Sequence, residues 1–211
     1  MALRSLHLAE MAPPPYRHRM FKAIDRCRIC GGSSLELILD LGNQVLTGVF
    51  PRTKDEVIED MPVELLKCMG ANGCGLVQLR HSYSPDAMYG DRYGYRSSLN
   101  RWMVQHLEGI VADILKRVSL KPGDAVIDIG SNDATLLKAY GITSLRRIGI
   151  DPTGSHFKDY YPEDVTLVPS FFSAESAKQA LGDAKAKVVT SIAMFYDLED
   201  PQAFVDGIAS V

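Results

Sequence analysis

Four cysteines, set in two pairs, are the residues of this 211-residue chain best suited to hold a metal. Cys27-Arg28-Ile29-Cys30 runs into Gly31-Gly32, and Cys68 and Cys74 enclose Gly70 and Gly73 and precede Gly75. A C-x-x-C turn relaxed by glycine aims two thiolates at one point, and a second pair completes the tetrahedron that zinc prefers. The second pair is spaced C-x5-C, so its loop is longer than usual. Disulfide bonds and reduced buried thiols are the competing uses, and the absence of a secretion-signal pattern disfavours disulfides. The expected site is a closed structural zinc centre of Cys27, Cys30, Cys68 and Cys74, without an open position for catalysis.

A second group of chemically capable residues lies in Asp128-Ile129-Gly130-Ser131-Asn132-Asp133, with Asp151-Pro152 about twenty residues on. Ala125 to Ile129 is mostly β-branched and apolar, as in a strand buried on both faces. Gly130 lets the backbone turn, and a helical pattern is expected from Asn132 through Leu136, Leu137 and Tyr140, stopped by Gly141. Such a strand–glycine–helix junction gathers backbone N–H groups and a positive dipole end, which suits a carboxylate or phosphate. A second strand, Arg147 to Ile150, ends in Asp151, placed to accept hydrogen bonds from ribose hydroxyls. Of the two candidate ligands, a dinucleotide and S-adenosylmethionine, the first needs G-x-G-x-x-G, and with only Gly130 in this loop it is disfavoured. The bland alternative is an ordinary β–α turn with a surface aspartate.

These sites need elements to hold them. Residues 1–22 form an expected tail containing Ala12-Pro13-Pro14-Pro15, whose prolines end any helix. Residues 23–82 form the zinc module, with strands over Leu35–Gly42, Val63–Leu66 and Leu76–Leu79 and an extended connector from Gln44 to Phe50. Residues 83–120 carry a tyrosine-rich stretch suited to a pocket wall, then a long helix capped by Ser98. Its apolar face comprises Leu99, Trp102, Met103, Leu107, Ile110, Val111, Ile114, Leu115 and Val118, with His106 as a packed core histidine. Residues 121–211 are the cofactor-binding part. After Asp151 it holds a strand at Val165–Val168, a helix at Ser173–Leu181, a strand at Ala186–Met194 and a last helix to Val211. The fold class is α/β: a small zinc-binding β module, then an incomplete Rossmann-like sheet with flanking helices.

Composition bounds the partners. A net charge of −3 argues against nucleic acid or an anionic membrane surface. No apolar run approaches a membrane span of about 18 residues, and the chain reads as soluble and cytoplasmic.

Asp128-x-Gly130 resembles the first motif, D/E-x-G-x-x-x-G, of class I methyltransferases, with Ala134 in the place of the last glycine. Taken in order, Cys27/Cys30/Cys68/Cys74, Tyr93-Gly94-Tyr95-Arg96-Ser97-Ser98 and Ile129 to Leu137 resemble the zinc-containing sugar C-methyltransferases that act on nucleotide-linked deoxysugars. The resemblance covers about residues 20 to 211. It implies methyl transfer from S-adenosylmethionine to a carbon beside a sugar keto group, after removal of the α proton. It further implies a cofactor site of Tyr95, Ser98, Asp128, Gly130, Ser131, Asn132, Asp133, Asp151, Pro152 and Phe172, with Asp128 facing the methionine amino group and Phe172 against adenine. Where the family commonly has a histidine base, this chain offers Asp197 beside Tyr196, with Tyr93 as a third candidate catalytic group. Capping of the last helix is the alternative use of Asp197. The family fold continues beyond four strands, so the expected chain is a fragment. Its fourth strand is an open edge through which copies could associate, and alone it should bind cofactor poorly.

Overall fold

A computed structural model describes residues 21–90, 92–142 and 144–211. The triple-proline stretch lies outside the described residues. Phe21 and Lys22, expected in the tail, instead begin the first strand: Phe21–Ala23 (β1) pairs antiparallel with His81–Tyr83 (β5). Between them, Leu35–Val45 (β2), Asp60–Cys68 (β3) and Val77–Leu79 (β4) form an antiparallel sheet in the order β2-β3-β4. The connector expected from Gln44 is partly strand, because Gln44 and Val45 pair with Met61 and Asp60. β3 buries Met61, Leu66 and Cys68. β2, at the sheet edge, leaves Leu37, Ile38, Leu39 and Leu41 exposed.

Pro85–Tyr89 forms a short helix (α1), and a turn at Ser97–Leu99 leads into Arg101–Arg117 (α2). Asn100, not Ser98, caps α2: its Oδ1 accepts from the Trp102 N–H at 2.9 Å. Asparagine wins because it immediately precedes the first helical residue with its backbone extended. The buried stripe of α2 is Leu107 and Val111, flanked by Met103, Ile110 and Ile114. Leu99, His106 and Trp102 are exposed, Trp102 by 79%. His106 is therefore no core histidine.

Ala125–Ile129 (β6), Arg146–Ile150 (β7), Val165–Val168 (β8) and Ala186–Ser191 (β9) make a parallel sheet in the order β8-β7-β6-β9. Alternate residues of β6 serve opposite faces. Val126 joins Leu107, Val111, Leu136, Leu137 and Tyr140, while Ala125, Ile127 and Ile129 join Ile148, Ile150, Ala177, Leu181 and Phe204. The second face is covered by Ala174–Leu181 (α4, following the short helix α3 at Thr135–Lys138) and Pro201–Ala209 (α5). α3 starts three residues later than the sequence pattern suggests, because Asn132 and Ala134 take positive φ of 51° and 61°. Its cap, Ala139, also precedes the expected stop at Gly141.

Candidate functional site

The thiols come first. The ligand atoms of Cys27, Cys30, Cys68 and Cys74 all lie within 4.8 Å of one another. The Sγ atoms of Cys27 and Cys74 are 3.6 Å apart, and those of Cys30 and Cys68 3.5 Å. A disulfide needs about 2.05 Å. Two sulfurs each about 2.3 Å from a tetrahedral zinc stand about 3.8 Å apart. The cluster thus fits a four-cysteine zinc site and no disulfide. Burial opposes ionisation of Cys27, but the backbone N–H groups of Cys30 and Ile29 outweigh it and bring the thiol down to about 6. That favours the thiolate at Cys27. At Cys68 and Cys74 the lowering by backbone N–H groups is outweighed by burial and the neighbouring thiols, which raise their pKa.

The second site is a crevice at the C-terminal ends of the parallel strands. In the order β8-β7-β6-β9 the connections leaving β6 and β9 run to opposite sides, and ligands of open α/β sheets bind at such a switch point. Gly130 opens one lip with φ 76°. A side chain there would approach the Met194 sulfur of the other lip. Gly149 has no room for a Cβ, which would stand 2.6 Å from Ser131 Oγ and 3.0 Å from the Tyr161 ring. Those two groups lock the loop: the Tyr161 hydroxyl donates to Asn132 O at 2.9 Å, so the Ser131 hydroxyl donates to Tyr161 at 2.8 Å.

Asp128 is buried inside the crevice on the Val126 face of β6 and accepts from Thr190 Oγ1 of β9 at 2.6 Å. Burial pushes its carboxyl up to about 7, with Thr190 offsetting part of the effect. A cationic ligand group would restore its charge. Asp151 holds the loop as well: Oδ2 accepts from Asn132 N at 2.7 Å, and Oδ1 from Thr153 N and Oγ1, both at 2.6 Å. The backbone N–H groups expected to face an anion are thus partly spent, that of Asn132 on Asp151 and that of Thr135 on Asp133. Pro152 begins the turn that follows.

Asn132 joins this loop to the tyrosine-rich segment. Its Oδ1 accepts from Ser97 N at 2.9 Å and its Nδ2 donates to Tyr95 O at 3.0 Å. Asp133, 0% exposed, accepts from Ser98 N at 3.1 Å, and Arg96 lies 3.9 Å away. Burial opposes ionisation of Asp133, but the Ser98 and Thr135 hydrogen bonds prevail and lower its pKa. Asn132, Asp133 and Ser98 therefore hold chain to chain, while the Tyr95 ring remains exposed. Phe172, half-buried, packs edge-on against Phe204 at 5.1 Å and closely on Gly207 of α5. Phe171 is the exposed ring of that pair.

Opposite the glycine loop, Phe195–Asp197 forms a single 3-10 turn after β9. α5 is capped by Asp200, whose Oδ1 accepts from Ala203 N at 2.9 Å. Asp197 is thereby free of the capping role, and its Oδ2 accepts from the Tyr89 hydroxyl at 2.7 Å. Burial raises its pKa, and Tyr89 offsets part of the rise. Tyr93 packs at a tilt against Tyr89, ring centres 5.5 Å apart, and burial pushes its hydroxyl up to about 12. Tyr196 is mostly exposed.

The family model of a zinc binding domain, Methyltransf_13, matches residues 27–89. C-methyltransferase NovU of Streptomyces niveus is 26% identical over 193 residues, which cover 90% of this chain. The chain is thus similar to a methyltransferase-family zinc binding domain over residues 27–89 and to a C-methyltransferase over most of its length. It spans 45% of that relative's length. The zinc binding domain match takes in all four cysteines and stops at Tyr89. Among the described residues no helix is long and apolar enough to cross a membrane. Sequence reasoning passed over Thr190, Tyr161 and Tyr89 as site residues. Tyr89 stood in the tyrosine-rich run, but its partner lies 108 residues away, and the other two belong to no motif.

Proposed function

We propose that the chain is the cofactor-binding and base-bearing part of an S-adenosylmethionine-dependent C-methyltransferase, acting in the cytoplasm on a nucleotide-linked keto-deoxysugar. The observation that carries this reading is the switch-point crevice, with buried Asp128 and the Gly130 turn on one lip and half-buried Asp197 on the other. When bound, S-adenosylmethionine supplies an electrophilic methyl group to a carbon nucleophile. Asp128 offers a carboxylate to the cofactor's ammonium group, and Gly130 with Ser131 lets the ligand approach the backbone. Asp151 has three of its roughly four lone-pair sites engaged, which leaves one for a ribose hydroxyl. Asp197 takes the proton from the carbon beside the sugar's keto group, a task suited to a carboxyl whose pKa burial has raised. Tyr93 and Tyr196 are hydroxyl donors near the same turn and fit stabilisation of the enolate oxygen. The zinc centre organises the N-terminal module and takes no part in the reaction. β9 is an edge strand of its sheet, and self-association through it is the expected behaviour of the isolated chain.

The experiment is photolabelling with methyl-labelled S-adenosylmethionine, followed by peptide mapping. The label should fall on residues 128–132 and 193–197, and S-adenosylhomocysteine should displace it while NAD does not. Displacement by NAD alone, or label confined to the N-terminal module, overturns the reading. Incubation with a panel of nucleotide-linked keto-sugars then identifies the acceptor.

A further inference from the structure

Asp197 stands on a turn anchored by Phe195 on Phe204 and by Met194 and Leu198 against the core, but no side chain of that turn holds its carboxylate. Phe195, Tyr196, Glu199 and Asp200 around it are exposed, and the α5 cap is supplied by Asp200 rather than by Asp197. A carboxylate on such a turn samples several directions unless a group from elsewhere fixes it. One group does so. Tyr89, the last residue of α1, reaches it from 108 residues earlier, and its hydroxyl donates to Oδ2 at 2.7 Å. The Tyr89 ring in turn packs at a tilt against Tyr93, ring centres 5.5 Å apart. Among the described residues, Oδ1 of Asp197 accepts no hydrogen bond.

We propose that Tyr89 is the positioning residue for Asp197, pinning Oδ2 so that Oδ1 is left as the proton acceptor. The inference rests on the reading of Asp197 as the base. A base held by a third group through its other heteroatom is the general arrangement of an oriented proton acceptor. The choice of tyrosine has a chemical reason. Burial and the neighbouring Asp197 hold the Tyr89 hydroxyl well above its ordinary pKa, so it stays a donor wherever the carboxylate is ionised. It therefore steadies the ionised form without competing for the substrate proton. Two other contacts reach the same segment from the N-terminal module: Gln202 Nε2 donates to Ile29 O at 3.1 Å, and Lys22 pairs with Glu199 at 3.3 Å. Both are exposed and neither touches the carboxylate, so they are controls rather than rivals.

The test follows the Asp197 carboxyl by carbon-13 NMR in the zinc-loaded 211-residue chain, its resonance assigned by its loss in Asp197→Asn. In Tyr89→Phe the titration should move up by roughly half a unit to one unit, since the hydrogen bond that favoured the charged form is gone. Zinc content should stay the same, and Lys22→Ala should leave the titration in place. An unmoved titration in a folded Tyr89→Phe chain overturns the proposal. Should that variant lose its fold, the parent decides: a downfield, slowly exchanging Tyr89 hydroxyl proton that shifts in Asp197→Asn supports the contact, and its absence overturns it. The base reading fails separately if Asp197→Asn transfers methyl as fast as the parent. The positioning role fails alone if Asp197→Asn is inactive while Tyr89→Phe keeps the parent's kcat and acid limb.

Discussion

β2 and β6 are both apolar strands, yet one has ten of its eleven residues exposed and the other has all five buried. The N-terminal sheet gathers few covered side chains, and its fixed point is four thiols within 4.8 Å. The parallel sheet has helices on both faces and two clusters of buried side chains. One region is held at a point by coordination, the other over an area by burial. The same kind of substitution should therefore have different consequences in each.

The largest effect belongs to the metal. Chelation under reducing conditions, or Cys68→Ser, should abolish amide-exchange protection in β2 to β5 while β6 to β8 keep theirs. Structural zinc in small modules contributes on the order of 10 kcal/mol to folding. Protection of both regions without zinc would erase the distinction. Next comes a matched pair of truncations. Ile127→Ala, in the centre of β6, should cost about 2–5 kcal/mol in denaturant unfolding. Leu39→Ala, on β2, should cost less than about 1 kcal/mol. Equal costs would show that burial governs both sheets.

A third prediction turns burial against stability. Asp128 titrates at about 7 in the fold, above the roughly 3.9 of an unfolded aspartate. Between those values the folded state binds more protons than the unfolded one, so stability falls as pH rises. Asp128→Asn should match the parent near pH 4 and exceed it by about 2–4 kcal/mol at pH 8. A parent whose stability rises over that window would contradict the sign. The smallest effect is expected at Ala134, where the fold asks for φ 61° at a fully buried residue. Ala134→Gly relieves about 1 kcal/mol of left-handed strain and gives up about 0.8 kcal/mol of methyl burial. The net change should stay below about 1 kcal/mol, and a larger loss in thermal unfolding would mean the methyl matters more than the backbone.

Local patterns made much of this legible. Cysteine spacing marked the metal cluster, and the apolar run ending in Asp128-Ile129-Gly130 marked the central strand and its turn. What escaped depended on distant partners. The three-residue strands β1 and β5 have no periodicity of their own and exist because they pair. Trp102 and Leu99 fit the apolar stripe of α2, but nothing among the described residues covers them. Phe171 and Phe172 are adjacent and chemically alike, and only the position of α5 decides which ring is partly covered. Asp197 and Asp200 both precede Pro201, and the capping role falls to the one directly beside it. The left-handed turns at Asn132 and Ala134 delayed a helix whose side-chain spacing began earlier.

The four-way engagement of Asn132 gives the crevice two unequal jaws. One is bolted: segment 95–98 is fastened to the glycine loop through Asn132 and Asp133, and the loop is fastened again by Tyr161 and Asp151. The other, residues 193–197, is exposed along much of its length; it rests on the core through Met194 and Phe195, and its Asp197 carboxylate is tied by a single phenol. Traffic in and out of the crevice should then follow the less fastened jaw. A guest arriving from solvent should find the firmer wall on the β6 side and the looser one on the β9 side, and its residence time should depend on how often the looser side lets go.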